Sequence, residues 1–500
     1  MTDRARALER LATERFDLLV IGAGILGSRI AYDAARSGLR VALVDAGDFG
    51  AATSSASSKL VHGGFQYLAR GQVGLVWQAQ HERRALMTRI APHLVRPLPI
   101  LLAIDRRGSF PRPLVRGGLV AYSLLSGLRE RPARLLEAAD ARNFVPPLLS
   151  RDGRAYACLP EAQTHDGRLV LATCRAAARA GAVIANHLRV VDLLHEQGCA
   201  TGAVADSALG EGSILLRARA LVNATGPWVD RLRRLEDPHS RPLVRLSKGT
   251  HLVLPLDNPW HAGVAVSLDR ARLTFAVPWQ GMLLIGTSDA PYEGDPAAVG
   301  PTEAEAAELL THAGRLLRPE LLETSRILHA FSGLRALPTG GGETVTAPRE
   351  HLLAVGCGGI VSVAGGKLTT HRPIAAAALR RLPSELAPRR LPAEGPLPGG
   401  LPWRPASTGI ERRTLEHLAG LYGSETPRLL SYARDFDDAL DPIDTRAPDV
   451  WAQVHHAIEH ERAVTTEDVV RRTTLGMRGL EDDDLRTRIA ARLGRPTIAA

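Results

Sequence analysis

Cysteine is scarce in this chain. Four occur in 500 residues, Cys158, Cys174, Cys199 and Cys357, and none belongs to a Cys-x-x-Cys pair. That spacing argues against a disulfide framework and a structural zinc site, and it suits a reducing compartment. Long apolar runs are also missing: no uninterrupted stretch reaches the ~20 residues that span a bilayer as a helix. From Met1 to Asp17 the chain is charged and has no apolar h-region, so a secretory signal is not expected and a cytoplasmic location is. A peripheral place on the inner face of the cell membrane stays open. No recognisable nucleic-acid module accompanies the basic residues, so nucleic acid is not an expected partner. No internal repeat is visible.

What is present describes an ordinary globular chain with room for more than one domain. Hydrophobic residues make up 45% and charged residues 23%, which excludes global disorder. The net charge of +9 has two readings, a solvated arginine-rich surface or attraction to phosphates or anionic lipid. The basic residues are spread out and interrupted by acids, which favours the first.

The most informative segment lies near the start. Leu18-Leu19-Val20-Ile21 reads as a buried parallel strand, and it runs into Gly22-Ala23-Gly24-Ile25-Leu26-Gly27. In a G-x-G-x-x-G turn the first glycine makes the tight bend and the second admits a pyrophosphate. The third lets the following helix pack on the strand. The helix is predicted to turn Ile30, Ala31, Ala34 and Ala35 inward and Arg29, Asp33 and Arg36 to its other side. Val41 to Val44 forms the second strand. Asp45 ends it, where a carboxylate can accept hydrogen bonds from ribose hydroxyls. Free N–H groups at the helix N-terminus favour the anion. Strand, loop, helix, strand and acid in this order predict a dinucleotide site.

The glycine loop alone does not separate FAD from NAD. The next segment bears on that choice: Thr53-Ser54-Ser55-Ala56-Ser57-Ser58-Lys59-Leu60-Val61-His62-Gly63-Gly64. Its row of hydroxyls can bond to the ribityl chain and diphosphate of FAD, and the paired glycines leave room for the flavin ring. Residue types alone also allow a flexible polar loop.

Residues 17–45, this hydroxyl-rich stretch and Tyr67 together resemble the FAD-dependent glycerol-3-phosphate dehydrogenase family. Further similar segments follow in the family's order: THDGRLVL (164–171), LVNATGPW (221–228), RLSKGTHLV (245–253), IGTSD (285–289), SGLRAL (332–337) and VAGGKLTTHR (363–372). The resemblance covers most of the chain and implies FAD as cofactor. It places FAD on Gly22, Gly24, Ile25, Leu26, Gly27, Asp45, Thr53, Ser54, Ser55, Ser58, Lys59, His62, Gly63 and Gly64. Ala224, Gly226, Gly366, Lys367, Leu368 and Thr369 complete that set.

The implied fold class is α/β, a doubly wound Rossmann-like FAD-binding domain interleaved with a mixed-sheet substrate domain, plus a C-terminal α-helical domain. The FAD part is expected near 16–90, 165–230 and 350–382, and the substrate part near 91–164 and 231–349. Residues 383–405, rich in proline and glycine, read as a linker, and 406–500 as the helical domain. Helices are predicted over 169–180, over 301–317 with a cap at Thr302, and around 451–458. Thr465/Thr466 is a further cap.

The implied chemistry is oxidation of a small phosphorylated polyol, sn-glycerol 3-phosphate, to dihydroxyacetone phosphate, with electrons passed to a quinone. Hydride leaves the carbinol carbon for flavin N5 while the hydroxyl loses its proton. His251 is the candidate proton acceptor, since imidazole is poised near neutrality. Arg335 is expected to steady the developing alkoxide and Lys367 the reduced flavin. Tyr67, Arg349 and Lys367 are the substrate-binding candidates.

One departure bears on the substrate: Gln66 stands immediately before Tyr67, where the family usually has arginine. That substitution keeps open a related flavin oxidase that acts on another hydroxy or amino acid and uses oxygen. A non-catalytic FAD-binding regulator is the remaining alternative. No metal is expected. His456 and Glu459-His460 fit an H-x-x-E-H pattern but lack a third ligand. The segment from Pro111 to Arg134 is basic and amphipathic, and reads as a helix packed on the body or lying on an anionic membrane surface. A homodimer is compatible with the sequence.

Overall fold

The computed structural model describes residues 3–68, 71–104, 112–127, 130–149, 155–268, 272–339, 351–404 and 410–494. Among them Arg15–Ile21 forms the centre of one sheet, because all but its first residues are apolar and both its neighbours cover it. Val41–Val44 and Ser213–Asn223 flank it in parallel. Val183–Ala185 and Val361–Gly365 extend the sheet in parallel on either side, and His351–Val355 adds an antiparallel edge. The helices Ile25–Ala35, Asp166–Arg179 and His371–Leu379 cover one face in a continuous apolar core. The strands of this sheet therefore come from three separated stretches of sequence.

A second sheet of ten strands is built around Val244–Pro255, which is bracketed by Met282–Gly286 and Ala290–Tyr292 on one edge pairing and by His329–Pro338. Leu60–Val61 belongs to this second sheet, pairing with Ala155–Thr164, although residues 16–90 were expected to serve the FAD part. The hydroxyl-rich segment thus crosses from one sheet to the other. Helix Glu303–Ala313 packs on the second sheet and starts with a capping box between Thr302 and Glu305. Among the described residues no helix is long and apolar enough to cross a membrane.

The helix after the glycine loop differs from expectation. Arg29 and Asp33 are buried rather than solvated, at 2% and 0% exposure. Residues 383–404 lie against that face as a strap. Glu394 in the strap pairs with Arg29 and with Arg372 (2.8 Å), while Leu386 and Leu397 enter the core. The proline- and glycine-rich stretch is therefore a packed connector rather than a loose tether.

Beyond it, the helices from Arg412–Tyr422 to Asp483–Leu493 form a separate apolar core. This helical part docks on the first sheet's helices through buried charge pairs. Arg168 meets Glu461 (2.7 Å), Arg175 meets Glu425 (2.6 Å), and Arg472 meets Asp48 (2.7 Å). Asp48, His187 and Asp468 converge closely enough to suggest a cation, but the Arg472 guanidinium already supplies that charge. Burial pushes the Glu461 carboxyl up, yet Arg168, His456 and Arg175 outweigh it and bring it down to about 2. Burial likewise raises Glu425, and Arg175 and Arg179 return it to about 2.

Both carboxylates sit below their ordinary value of 4.5 in the folded protein. Their contribution is therefore complete above that value and is lost as pH falls toward 2. Limited proteolysis along an acid titration is expected to release the C-terminal helices in that window. Glu461→Gln should be destabilised already at neutral pH, by about 3 kcal/mol in denaturant unfolding, because it leaves Arg168 buried beside a neutral partner. An unchanged acid limb in that variant would contradict this account of docking.

Candidate active site

The glycine loop sits at the carboxyl end of the first sheet, where its central strand meets helix Ile25–Ala35. Gly22 adopts φ +98°, and a Cβ there would lie 2.6 Å from the Ala224 carbonyl oxygen. A Cβ on Gly27 would overlap the Gly22 carbonyl oxygen. The loop is thus as close to its neighbours as a backbone can be, and the Gly22 N–H donates to the Val44 carbonyl (2.8 Å). Ser54 Oγ accepts from the Ile25 N–H (3.0 Å) at the helix N-terminus. The Asp45 carboxylate braces the loop by accepting from Ala23 N–H (2.6 Å) and Gly47 N–H (2.9 Å). Burial raises its carboxyl to about 6, against those two hydrogen bonds.

One cavity of about 1400 Å³ runs from this loop to the second sheet. Its volume exceeds the ~300–1,000 Å³ of common ligand pockets, which suits a dinucleotide with a small substrate beside it. The lining includes Gly22, Gly24, Ile25, Leu26, Asp45, Thr53, Ser54, Ser55, Ser58, Lys59 and His62. Ala224, Gly226, Gly366, Lys367, Leu368 and Thr369 line it from the other side of the sheet, and His251 and Arg335 from the second sheet. The cradle fits FAD on this chain's own geometry: a glycine turn at a helix N-terminus, followed by hydroxyls, opens onto the cavity.

The register of the second sheet explains its site residues. Ser247 pairs with Arg335, and His251 pairs with both Phe331 and Gly286. A Cβ on Gly286 would overlap the His251 ring, and one on Gly249 would overlap the Arg335 guanidinium. The glycines of KGTH and IGTSD therefore make space for the two functional side chains. Arg335 is held by Thr287 Oγ1 (2.8 Å) and lies 3.6 Å from Asp289. His251 stacks on Phe331, with ring centres 5.0 Å apart. Burial first, and then the positive charges of Arg335 and Lys59, hold its imidazole well below the ordinary value of 6.5. His251 is therefore neutral at physiological pH.

Lys367 extends its ammonium over the Tyr67 ring, 3.5 Å from the centroid. Tyr67 is buried, and Gly64 in its left-handed conformation packs on the ring. The Gln66 side chain and Arg349 lie outside the described residues.

Two assigned residues have more structural employment than expected. The Lys59 ammonium is buried in an ion pair with Asp166 (2.7 Å), so its charge is already matched. The Gly63 N–H donates to Glu161 (2.7 Å), which also accepts from Arg83 (2.6 Å) and from Tyr122 Oη (2.5 Å). The sequence reading gave no role to Asp166, Phe331 and Trp279, which with Ser57 fix the loop. The Asp166-Gly167-Arg168 motif was the available signal for Asp166; the rings carried none.

Residues 17–372 match the model of FAD dependent oxidoreductases, and 371–494 match the C-terminal domain of alpha-glycerophosphate oxidase. A glycerol-3-phosphate dehydrogenase of Mycobacterium leprae is 35% identical, over 94% of this chain and 82% of its own. The human mitochondrial glycerol-3-phosphate dehydrogenase is 31% identical over 98% of this chain and 72% of its own. Among solved structures, the Bacillus halodurans glycerol-3-phosphate dehydrogenase complexed with FAD superposes with a TM-score of 0.73. It is 26% identical, covering 99% of this chain and 96% of that one.

Gly27→Val tests the cradle. A Cβ there must push the Gly22 carbonyl and so reshape the turn, and FAD affinity measured by flavin fluorescence is expected to fall by about 10-fold or more. Retention of FAD at wild-type affinity would place the cofactor elsewhere.

Proposed function

The chain belongs to the FAD-dependent glycerol-3-phosphate dehydrogenase family, and on that premise we propose that it oxidises sn-glycerol 3-phosphate to dihydroxyacetone phosphate and passes the electrons to a quinone. The observation that carries this reading is the convergence of neutral His251 with two cations, Arg335 and Lys367, on the cavity that begins at the glycine loop.

FAD, when bound, supplies the two-electron acceptor for the carbinol hydrogen. The protein's own residues have three tasks. His251, kept neutral by burial, has a lone pair to take the hydroxyl proton. Arg335, tethered to Thr287 and Ser288, presents a fixed positive charge toward which negative charge on the alcohol oxygen can develop. Lys367, seated on Tyr67, offers a compact cation to the phosphate. It stands close to the strand-to-helix turn at Gly365 and Gly366, so the same charge also favours reduced flavin.

A quinone is soluble in the bilayer, so its reduction needs a surface that meets lipid. Helix Arg112–Leu125 supports this reading: Val115, Leu119 and Tyr122 face the body, while Leu114, Val120 and Leu124 remain exposed. Trp77 and Val73, on the helix Val73–Ala85 that touches it, are exposed as well. An amphipathic helix of this kind with basic flanks binds anionic interfaces.

Anaerobic mixing with sn-glycerol 3-phosphate is expected to bleach the bound flavin, and glycerol is not. Lys367→Met should raise the KM for glycerol 3-phosphate by about 10- to 100-fold, the loss of one charged hydrogen bond. Bleaching by a non-phosphorylated hydroxy or amino acid with peroxide release would replace this reading with the oxidase. Flotation with vesicles containing anionic lipid tests the membrane surface separately. The wild-type protein should float with the vesicles, and Leu114→Glu/Leu124→Glu should remain in solution.

A further inference from the structure

His251 borders the cavity with very little of its surface. Its ring is 2% exposed, whereas Ser58, immediately in front of it, is half-buried and lines the cavity. The two are joined by one hydrogen bond, Ser58 Oγ to His251 Nε2, at 2.8 Å. His251 Nδ1 is buried and has no hydrogen-bond partner among the described residues. The remaining ring contacts are apolar or steric: the Phe331 face on one side and the Gly286 backbone on the other. Ser58 thus lines the cavity and holds the Nε2 side of the imidazole through its hydroxyl.

Both partners are immobilised. Ser58 is followed by Lys59 in the left-handed region at φ +58°, a conformation that a lysine adopts only when its surroundings hold it there. Here they do. The Lys59 ammonium bonds to Asp166 (2.7 Å) and to the Ser55 carbonyl (2.5 Å), and lies over the rings of Trp279 and Phe331. Ser57 Oγ donates to the second oxygen of Asp166 (2.6 Å) and accepts from the Lys59 N–H (3.1 Å). The residues on both sides of Ser58 are thus anchored to the same carboxylate, and its hydroxyl has little freedom to leave Nε2. The Phe331 ring that stacks on His251 is the one that Lys59 caps, so one cluster fixes the hydroxyl and the imidazole together.

We propose that Ser58 is a proton-relay residue: the substrate hydroxyl proton reaches His251 through Ser58 Oγ rather than by direct contact with the imidazole. This rests on the alcohol-oxidation reading above. In the step, the alcohol O–H bond breaks and an O–H bond forms at Ser58. At the same time Ser58 releases its own proton and an N–H bond forms at His251 Nε2. The carbinol carbon gives up its hydrogen with both electrons to FAD, and a carbonyl remains. The protein gains one proton, FAD gains the hydride, and the substrate loses both. The relay requires the Nε2 lone pair to face Ser58, with the ring proton on Nδ1. A neutral imidazole, as burial beside Arg335 and Lys59 maintains, meets that requirement.

The test compares Ser58→Ala, Ser58→Thr, His251→Asn and the Ser58→Ala/His251→Asn double variant as FAD-loaded enzymes in anaerobic stopped-flow. Ser58→Ala is expected to slow flavin bleaching by about 100-fold, in the range of a lost acid–base step. Ser58→Thr, which keeps the hydroxyl, should recover most of that rate. The double variant should be no slower than either single one, because residues acting as a unit are non-additive. In ¹⁵N-histidine-labelled protein without substrate, the His251 Nε2 resonance should move in Ser58→Ala and return in Ser58→Thr. A proton inventory in mixed H₂O and D₂O on the wild-type enzyme should curve, as two protons move together. Wild-type bleaching by Ser58→Ala, multiplied losses in the double variant, an unmoved Nε2 resonance or a straight inventory would each overturn the relay. If glycerol 3-phosphate leaves the flavin oxidised while another alcohol bleaches it, the substrate reading fails and the series is run with that alcohol. If no alcohol bleaches it, the relay falls with the function.

Discussion

Lys59 and Asp166 form a buried ion pair at the seam between the two sheets, and much of the site hangs on it. Asp166 opens the helix Asp166–Arg179, which packs on the first sheet, so its carboxylate is placed by the FAD-binding side of the molecule. Lys59 belongs to the segment that leaves the first sheet and enters the second at Leu60–Val61. Its ammonium rests on Trp279 and Phe331, both residues of the second sheet. A charge removed from water in this way is stable only when it is matched and hydrogen-bonded. Asp166 and the Ser55 carbonyl meet that condition at one geometry, which fixes the hydroxyl row between the glycine loop and His251. The pair therefore sets the distance between the cofactor cradle and the reacting end of the cavity.

The same logic accounts for where many of the arginines went. A net charge of +9 looks from the outside like a basic surface. Several of the arginines are interior instead: Arg29, Arg83, Arg168 and Arg472 are all at most 5% exposed and paired. Three of these pairs hold the connector or the C-terminal helices against the FAD-binding part. Such pairs add little stability over apolar packing, but a planar guanidinium with two carboxylate oxygens accepts few orientations. They orient the helical domain more than they glue it. Arg472 does so by gripping Asp48, three residues beyond Asp45, so the loop that braces the glycine turn is shaped partly from the other end of the chain.

How much of this was legible depends on the range over which each interaction acts. The strand–loop–helix–strand unit, the caps at Thr302 and Thr465 and the clustering of the motif residues around one cavity follow from local chemistry or from ordered motifs. Arg29 and Asp33 were assigned to the outer side of their helix because helical periodicity sees only that helix. The carboxylate that buries them, Glu394, lies far along the chain. Lys59 was placed on FAD by the family resemblance, and nothing near it in sequence announces its partner Asp166. Residues 383–405 read as a linker from composition, yet proline and glycine are equally the residues of a connector that must follow a surface closely.

The division of labour at the reacting end follows from the same burial. An imidazole stacked on Phe331, with Arg335 and Lys59 nearby, rests neutral near physiological pH, and so is not a standing anion-binding cation. Any negative charge on a substrate must then be met by groups that cannot lose their charge. In the reaction proposed above Arg335 and Lys367 are such groups, and they approach from different sheets, one tied to the Thr287–Ser288 turn and the other seated on Tyr67. In that reading a short polyol phosphate can meet two fixed cations, one at its phosphate and the other at the charge developing on its oxygen.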